Sequence, residues 1–139
     1  MAAALLRLKR REDFLRVAAS RRRWVTPAFI LQARERRESP EGAAESAPAQ
    51  ALGSTIREVR VGFTVSRKVG NAVVRNRVRR RLRAAAAEVL PTRAAPGFDL
   101  VLVGRSGALT HPYPRLLKDL ETALGKVGAA PRVATGVRP

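Results

Sequence analysis

The sequence contains no cysteine and a single histidine, His111, among its 139 residues. Without cysteine the chain has no disulfide, no thiolate nucleophile and no cysteine-ligated zinc or iron-sulfur centre. With one histidine, neither a multi-histidine metal site nor a catalytic triad backed by a second histidine is easily assembled. We therefore do not expect a catalytic or metal centre borne by the protein.

Long apolar runs are also missing. The longest apolar stretches, such as residues 100–103, are far shorter than the ~20 residues that a membrane span needs, and residues 1–8 lack the apolar region of a signal peptide. We therefore expect a soluble chain that is not exported, has no membrane partner and works in the reducing cytoplasm.

Acidic residues are few: 11 Asp and Glu stand against 28 Lys and Arg, for a formal charge of +17. Residues 1–37 (+8) and 59–93 (+9) carry the whole excess, whereas residues 38–58 have a charge of −3 and contain the proline and serine of a solvated loop. Residues beyond Gly125 lack apolar periodicity. We predict a single domain over residues 1–125, with an acidic loop insertion at 38–58 and a disordered tail at 126–139.

Apolar periodicity predicts an α+β fold. The predicted helices cover residues 10–19, 72–90 and 112–124. The predicted strands cover residues 24–26, 28–34, 59–65 and 98–104. This order of elements favours helices packed against one four-stranded, mostly antiparallel sheet.

The long predicted helix has two chemically different sides. Asn71 is suited to cap its beginning and Pro91 to end it. One stripe of the helix is apolar and consists of Val74, Val78, Leu82, Ala85 and Val89. Most of the remaining surface is guanidinium, and no acidic residue occurs between Val59 and Ala87.

This arginine-rich surface has several possible origins. A GC-rich genome would raise the arginine content, and a solvated helix face also carries charge, although such faces usually mix both signs. Lipid headgroups are anions, but the apolar stripe is needed for the fold and leaves little to insert into a membrane. Because the positive charges have no local compensation, we favour a polyanionic partner, whose phosphates guanidinium groups bind well.

The segment at residues 63–83 reads FTVSRKVGNAVVRNRVRRRLR. It resembles the signature of the protein component of bacterial ribonuclease P, and its Arg-Asn-Arg core at residues 75–77 is specific. Residues 11–14 with Val17 are similar to the first helix of that family, and residues 98–103 to a later strand. The resemblance covers most of the chain outside the acidic interval and the tail.

The resemblance implies a fold and an activity that the residue pattern alone does not show. The fold is an αβββαβα sandwich related to a ribosomal-protein domain, with a left-handed crossover through the long helix, against the usual hand. The activity is that of a small basic subunit on a catalytic RNA, ribonuclease P RNA, which removes the 5′ leader of precursor tRNA. The RNA is expected to carry the catalytic centre and use Mg²⁺, so no catalytic residue, metal ligand or small-molecule substrate is assigned to the protein.

In the family, the Arg-Asn-Arg helix and the loop before it contact the catalytic RNA. The corresponding candidates are Arg67, Lys68, Asn71, Arg75, Asn76, Arg77, Arg79, Arg80 and Arg83. Guanidinium groups position the RNA through its phosphates, and Asn76 can bind a backbone or base edge. Alternatively, Asn76 hydrogen-bonds nearby helix backbone.

The family also holds the single-stranded leader in a cleft between the first helix and the sheet, where aromatic rings stack on bases. Phe14 matches the first cleft aromatic, whereas Ala18 and Gln32 stand where the family commonly has Phe and Tyr. The candidates for this cleft are Phe14, Arg16, Trp24, Phe29 and Arg60. Phe14 and Phe29 can instead be core residues, and strand alternation favours this for Phe29. For Trp24, which follows three arginines, the choice between cleft and core stays open.

Two other classes of protein remain open. A ribosomal protein or general RNA chaperone would carry the same charge but bind many RNAs alike. A nuclease acting alone would need grouped carboxylates for metal binding, whereas the acidic pair at residues 12–13, Asp99 and Asp119 are scattered along the chain.

Overall fold

The computed structural model describes residues 5–35 and 59–130, so the predicted insertion at 38–58 lies entirely outside the described residues. The strands are β1 (Leu5–Arg7), β2 (Arg22–Val25), β3 (Phe29–Glu35), β4 (Val59–Val65) and β5 (Phe98–Gly104). The helices are α1 (Arg11–Ala19), α2 (Ala72–Arg93) and α3 (Tyr113–Lys126). Short 3-10 turns, Arg67–Val69 and Ser106–Leu109, precede α2 and α3.

One mixed sheet runs in the order β1-β4-β5-β3-β2. The predicted α+β class is confirmed, but the predicted four-stranded, mostly antiparallel sheet is wrong. The sheet has five strands, and the β1–β4 and β4–β5 pairs are parallel, whereas the β3–β5 and β2–β3 pairs are antiparallel. Strand β1 escaped prediction because it is three residues long and shows no alternation.

The parallel pairing of β4 with β5 explains the position of α2. Parallel neighbours cannot be joined by a tight turn and need a crossover across the sheet, which α2 supplies. The hand of this crossover stays a prediction.

The main core lies between one face of the sheet and the two helices α2 and α3. Alternate strand residues point into it, among them Leu31 of β3 and Leu102 of β5, both fully buried. The apolar stripe of α2 is confirmed, with Val74 only partly covered, and the buried residues of α2 are Val78, Leu82, Ala85, Ala86, Val89 and Leu90. Within the described ranges, no helix is long and apolar enough to cross a bilayer.

Helix α1 covers the opposite face of the sheet. Its Val17 packs with Leu8 and Val101 in a smaller buried cluster, against which Phe14 and Val103 lie half-buried. Because α1 is a single short helix, part of this sheet face stays open beside it, and Thr64 on β4 is exposed there.

Charged groups lie between α1 and the sheet. The carboxylate of Asp99 is fully buried and accepts two hydrogen bonds from Arg60, at 2.8 Å from Nε and 2.7 Å from Nη2. Arg34 Nη1 lies 3.7 Å from the same carboxylate, and Arg60 Nη2 lies 3.7 Å from Asp13 Oδ1 of α1. These four residues, which we name the Asp99 network, link β3, β4, β5 and α1.

The beginning of α2 is as predicted and its end is not. Asn71 Oδ1 accepts a hydrogen bond from the backbone N–H of Val74 at 3.0 Å, which is the expected N-cap. The helix continues past Pro91 to Arg93, so the prediction that Pro91 ends it is wrong. Pro91 lies in the last turn, where its missing N–H removes one helical bond, and the buried Leu90 still accepts from the N–H of Ala94.

Helices α2 and α3 are joined by polar contacts at their outer edge. Arg81 donates to the carbonyl oxygen of His111, and its guanidinium lies 6.0 Å from the centroid of the Tyr113 ring. The Tyr113 hydroxyl donates to Glu88 at 2.8 Å. Burial raises the pKa of Tyr113, and the Glu88 carboxylate raises it further, so the phenol remains a donor at neutral pH. Arg81 therefore serves the fold.

The packed chain extends beyond the predicted boundary at residue 125. Lys126 ends α3, Val127 and Ala129 are buried, and the N–H of Ala95 donates to the carbonyl of Ala129 at 2.7 Å. The predicted disorder is therefore wrong for residues 126–130, because two small apolar side chains and a backbone bond hold them against the domain. Residues 131–139 lie outside the described residues.

Removing the central carboxylate should destabilise the protein strongly. We expect Asp99→Ala to lower the free energy of unfolding by about 3 kcal/mol, because it removes the carboxylate that accepts two hydrogen bonds from Arg60 and lies near Arg34, while both guanidinium groups stay partly buried. Urea unfolding at neutral pH measures the change. As a matched control, Glu121→Ala breaks an exposed ion pair with Arg93 (3.9 Å) and should cost less than about 1 kcal/mol. Equal losses in the two variants would contradict a special role for Asp99.

The turn before α2 should not tolerate a side chain. Gly70 has φ +157°, and a Cβ there would lie 2.8 Å from Val74 Cγ1, so we expect Gly70→Ala to lower stability by about 1 to 3 kcal/mol. Gly125 in α3 is the control, because a Cβ there meets nothing within 4 Å and Gly125→Ala should be neutral or stabilising. Thermal unfolding of both variants, followed by circular dichroism, tests this difference in sign.

Candidate nucleic-acid interface

The exposed side of α2 carries most of the residues predicted to bind RNA. Burial of the apolar stripe against the sheet and α3 turns the intervening residues toward solvent. Asn76, Arg77, Arg80 and Arg83 are exposed, and Arg75 and Arg79 are partly covered. We name the six residues the arginine face: Arg75, Asn76, Arg77, Arg79, Arg80 and Arg83.

Several side chains of the arginine face are held by neighbours. Arg79 Nη1 donates to Asn76 Oδ1 at 2.7 Å, and Arg75 Nε donates to the carbonyl of Gly70 at 3.2 Å. The Arg83 guanidinium lies 5.8 Å from the centroid of the Phe63 ring. In the part of the chain that the structure describes, the Asn76 side chain therefore binds an arginine rather than helix backbone. Its contact fixes a guanidinium and leaves the amide nitrogen available.

The arginine face is not neutralised from within the domain. Among residues 5–35 and 59–130, no carboxylate lies within ion-pair distance of its five guanidinium groups. Asn76, Arg79, Arg80 and Arg83 line a shallow depression of about 280 Å³. Converging guanidinium groups of this kind suit phosphate oxygens, which accept two parallel N–H bonds from one arginine.

The loop before α2 extends the same positive surface. Arg67 and Lys68 are exposed in the 3-10 turn, whose start is capped by the Ser66 hydroxyl accepting from the N–H of Lys68 at 3.3 Å. Asn71 follows as the N-cap of α2, so its side-chain oxygen is already used by the helix. The structure therefore brings all nine predicted RNA-subunit residues onto one helix and its leading turn, with a structural role for Asn71.

The predicted leader cleft is only partly assembled. Phe14 of α1 lies half-buried on the sheet above Gly62, where a Cβ would come within 2.5 Å of the ring. Arg16 is exposed on the same helix, 3.3 Å from Asp13 and 4.0 Å from Glu12. Arg60 points to this side of the sheet but belongs to the Asp99 network. The acidic partners therefore weaken the positive potential of this cleft.

Two predicted cleft aromatics lie on the other side of the sheet. Phe29 is 1% exposed and belongs to the main core, the alternative that strand alternation favours. Trp24 is paired with the buried Leu31 across the β2–β3 ladder, so its side chain points to the α3 side, where Lys126 Nζ lies 5.3 Å from the ring centroid. The placement of Phe29 and Trp24 in the cleft is therefore wrong, because the register of β2 and β3 turns them away from α1.

The sequence reasoning missed a groove of about 730 Å³ beside β1. Its basic lining residues come from both positive blocks of the chain, residues 1–37 and 59–93. They are Arg7, Lys9, Arg10, Arg60 and Arg83. Apolar residues of β1 and β4 form its floor, among them Leu5 and Phe63. The run of basic residues near the N-terminus was the available signal, but the groove depends on β1, which the pattern did not reveal. It connects the surroundings of α1 with the end of the arginine face.

The structure offers no obvious place for a protein-bound metal. In the two described ranges, no three His, Cys, Asp or Glu residues lie close enough together to hold an ion. The single histidine is engaged with Asp119, whose Oδ2 lies 2.8 Å from His111 Nε2. The chemistry available at the interface is therefore that of cations, amides and a few aromatic rings.

Comparison with known proteins identifies the family of the chain. The family model described as Ribonuclease P matches residues 3–128. The ribonuclease P protein component of Paramagnetospirillum magneticum is 50% identical over 139 residues, covering 100% of this chain and 95% of that protein. That of Ruegeria pomeroyi is 46% identical over 123 residues, covering 88% of this chain and 86% of that protein.

Solved structures share the fold. The ribonuclease P protein of Staphylococcus aureus aligns with a TM-score of 0.64 at 22% identity, covering 90% of this chain and 97% of that one. The protein from Thermotoga maritima aligns with a TM-score of 0.61 at 21% identity, covering 84% and 92%. Together with the identity of 50% along the whole chain, the family match shows that this chain belongs to the ribonuclease P protein component family.

Proposed function

We propose that the chain binds the RNA subunit of ribonuclease P through the arginine face of α2 and the turn before it. The observation that carries this proposal is the row of guanidinium groups without a carboxylate partner in the described chain. Arg67 and Lys68 continue the row, and the buried stripe of the same helix holds it rigidly. Because the helix backbone is already ordered, binding phosphates costs only the conformational entropy of the side chains.

In this proposal the RNA carries the catalytic centre of an endoribonuclease, and the protein supplies binding. Hydrolysis of a phosphodiester by a protein needs a nucleophile or metal held by grouped ligands. The chain has no cysteine, and its His111 is bound to Asp119 beside α3. Mg²⁺ would sit on the RNA, because the arginine face offers it no carboxylate ligand, and no residue of this chain is assigned to it.

The proposed substrate is precursor tRNA, whose processing would place the protein in the cytoplasm. We assign the 5′ leader to the open sheet face beside α1, where Phe14 offers a ring and Arg16 an exposed guanidinium. Ala18 is exposed and Gln32 half-buried on this side, so two positions that are aromatic in the family offer no ring here. Stacking on bases should accordingly contribute less to leader binding than in relatives with the full set.

A single arginine tests the assignment of the arginine face. We expect Arg77→Ala to weaken binding of ribonuclease P RNA and to reduce the slope of log K against log salt by about 0.7 to 0.9, the value for one lost phosphate contact. Arg77 is exposed and makes no side-chain hydrogen bond or ion pair in the described chain, so stability should not change. Filter binding across a salt series measures the slope.

Arg93→Ala is the matched control for that variant. Arg93 lies at the far end of the same helix and pairs with Glu121 at 3.9 Å. The control should keep the wild-type slope. An unchanged slope for Arg77→Ala, or the same loss in both variants, would contradict the assignment.

The role as a subunit is tested by reconstitution. We expect cleavage of a precursor tRNA at the mature 5′ end by the mixture of protein and ribonuclease P RNA in moderate Mg²⁺, with little cleavage by the RNA alone and none by the protein alone. Gel analysis of the leader product measures it. Cleavage by the protein alone would favour a protein nuclease, and a protein that adds nothing to the RNA would favour general RNA binding.

A further inference from the structure

Trp24 occupies a corner of the domain that the proposed function does not use. It lies on β2, the edge strand of the sheet, and its ladder partner Leu31 is buried between the sheet and the helices. The indole therefore lies on the face of the sheet opposite to α1, beside the last residue of α3. It remains 39% exposed.

One cation lies against the indole, and three arginines precede it in the sequence. Lys126, the last residue of α3, places its ammonium 5.3 Å from the ring centroid. Arg22 lies two positions earlier on β2 and on the same face. Its guanidinium lies 5.8 Å from the centroid of the Phe98 ring, and its Nη1 would be 3.9 Å from a Cβ added to Gly128, just beyond α3. Arg21 precedes it, exposed and with a positive φ of 63°.

These cations are not compensated. In the described residues, no carboxylate pairs with Arg21, Arg22 or Lys126. The carbonyl end of α3 accounts for a small part of their stabilisation, since cations near an exposed helix C-terminus are only weakly stabilised by it.

We propose that Trp24, Arg22 and Lys126 form a separate binding site for unpaired RNA, in which a base stacks on the indole and the adjoining phosphates contact the two cations. Every base has an aromatic face, and exposed rings beside basic side chains are how proteins hold single strands without reading sequence. One ring offers too little apolar area for a lipid surface or a protein partner, whereas its combination with cations matches a nucleotide.

The site is spatially distinct from the surfaces discussed above. The arginine face belongs to α2, which packs beside β4 and β1, whereas Trp24 lies at the opposite edge of the sheet beyond α3. The surface beside Phe14 is on the other face of the sheet. An RNA strand held at Trp24 therefore leaves both free.

The chain carries its own probe, because Trp24 is its only tryptophan. We expect a short oligoadenylate, titrated into the full chain, to quench the fluorescence of Trp24 saturably. Fluorescence anisotropy of a labelled oligoadenylate gives the affinity independently. By anisotropy, Trp24→Leu should bind about 5- to 100-fold more weakly, and Trp24→Phe should recover part of the loss.

Adjacent arginines on β2 supply a matched pair of variants. Arg22 shares the face of Trp24, whereas Arg23 pairs with Gln32 and points to the α1 side. Arg22→Ala should weaken the oligonucleotide affinity measured from Trp24 quenching more than Arg23→Ala does. Circular dichroism and urea unfolding establish that each variant is folded. If Trp24→Leu does not fold, Trp24→Phe replaces it in the binding test.

The proposal fails if the labelled oligoadenylate saturates the protein while Trp24 fluorescence stays constant, and if the single variants Trp24→Phe and Arg22→Ala both bind it as tightly as the wild type. In that case the indole only packs on α3. This outcome is independent of the ribonuclease P RNA, because Arg77→Ala tests that interface and should leave the quenching of Trp24 intact.

Discussion

The buried carboxylate of Asp99 holds together the parts of the domain that the chain brings from far apart. Asp99 and Arg60 are register partners on β5 and β4, and their two hydrogen bonds join strands separated by the whole of α2. Arg34 ties β3 to the same carboxylate, and Asp13 ties α1 to Arg60. Because α2 crosses between these strands, the orientation of its arginine face follows from their alignment.

The domain uses its few acidic residues internally. Asp13 and Asp99 serve the network under α1, Glu88 accepts from Tyr113, and Asp119 binds His111. These contacts stabilise the packing of helices on the sheet, and no carboxylate of the described residues pairs with the arginine face. The field of the protein is thus concentrated on a rigid helix, which steers polyanions toward one side of the molecule.

Local pattern was sufficient for elements whose burial is periodic. The stripe of α2, the alternation of β4 and the apolar run of β5 each predicted an element near its observed bounds. Family resemblance added the proposed role of the arginine face in binding RNA. Contacts between residues far apart in the sequence could not be predicted from local pattern. Nothing near Arg60 in the sequence indicates that it pairs with Asp99, 39 residues away.

Two of the errors, the orientation of Trp24 and the missed strand β1, originate in strand pairing. Whether Trp24 faces α1 or α3 depends on which β3 residue lies opposite it, and a shift of one position reverses the answer. Strand β1 owes its existence to the unpaired edge of β4 rather than to its own sequence. Pro91 is tolerated because burial of its neighbours outweighs one lost helical bond.

Strand β1 also has a protective consequence. Its three residues cover the first half of β4, whose outer N–H and C=O groups would otherwise be available to a strand from another molecule. The shortness of β1 and the charge of Arg7 in turn discourage strand addition to β1 itself. A truncation that removes residues 5–7, or a bulky fusion that displaces them, would therefore leave β4 as a longer unpaired edge strand and promote self-association during expression.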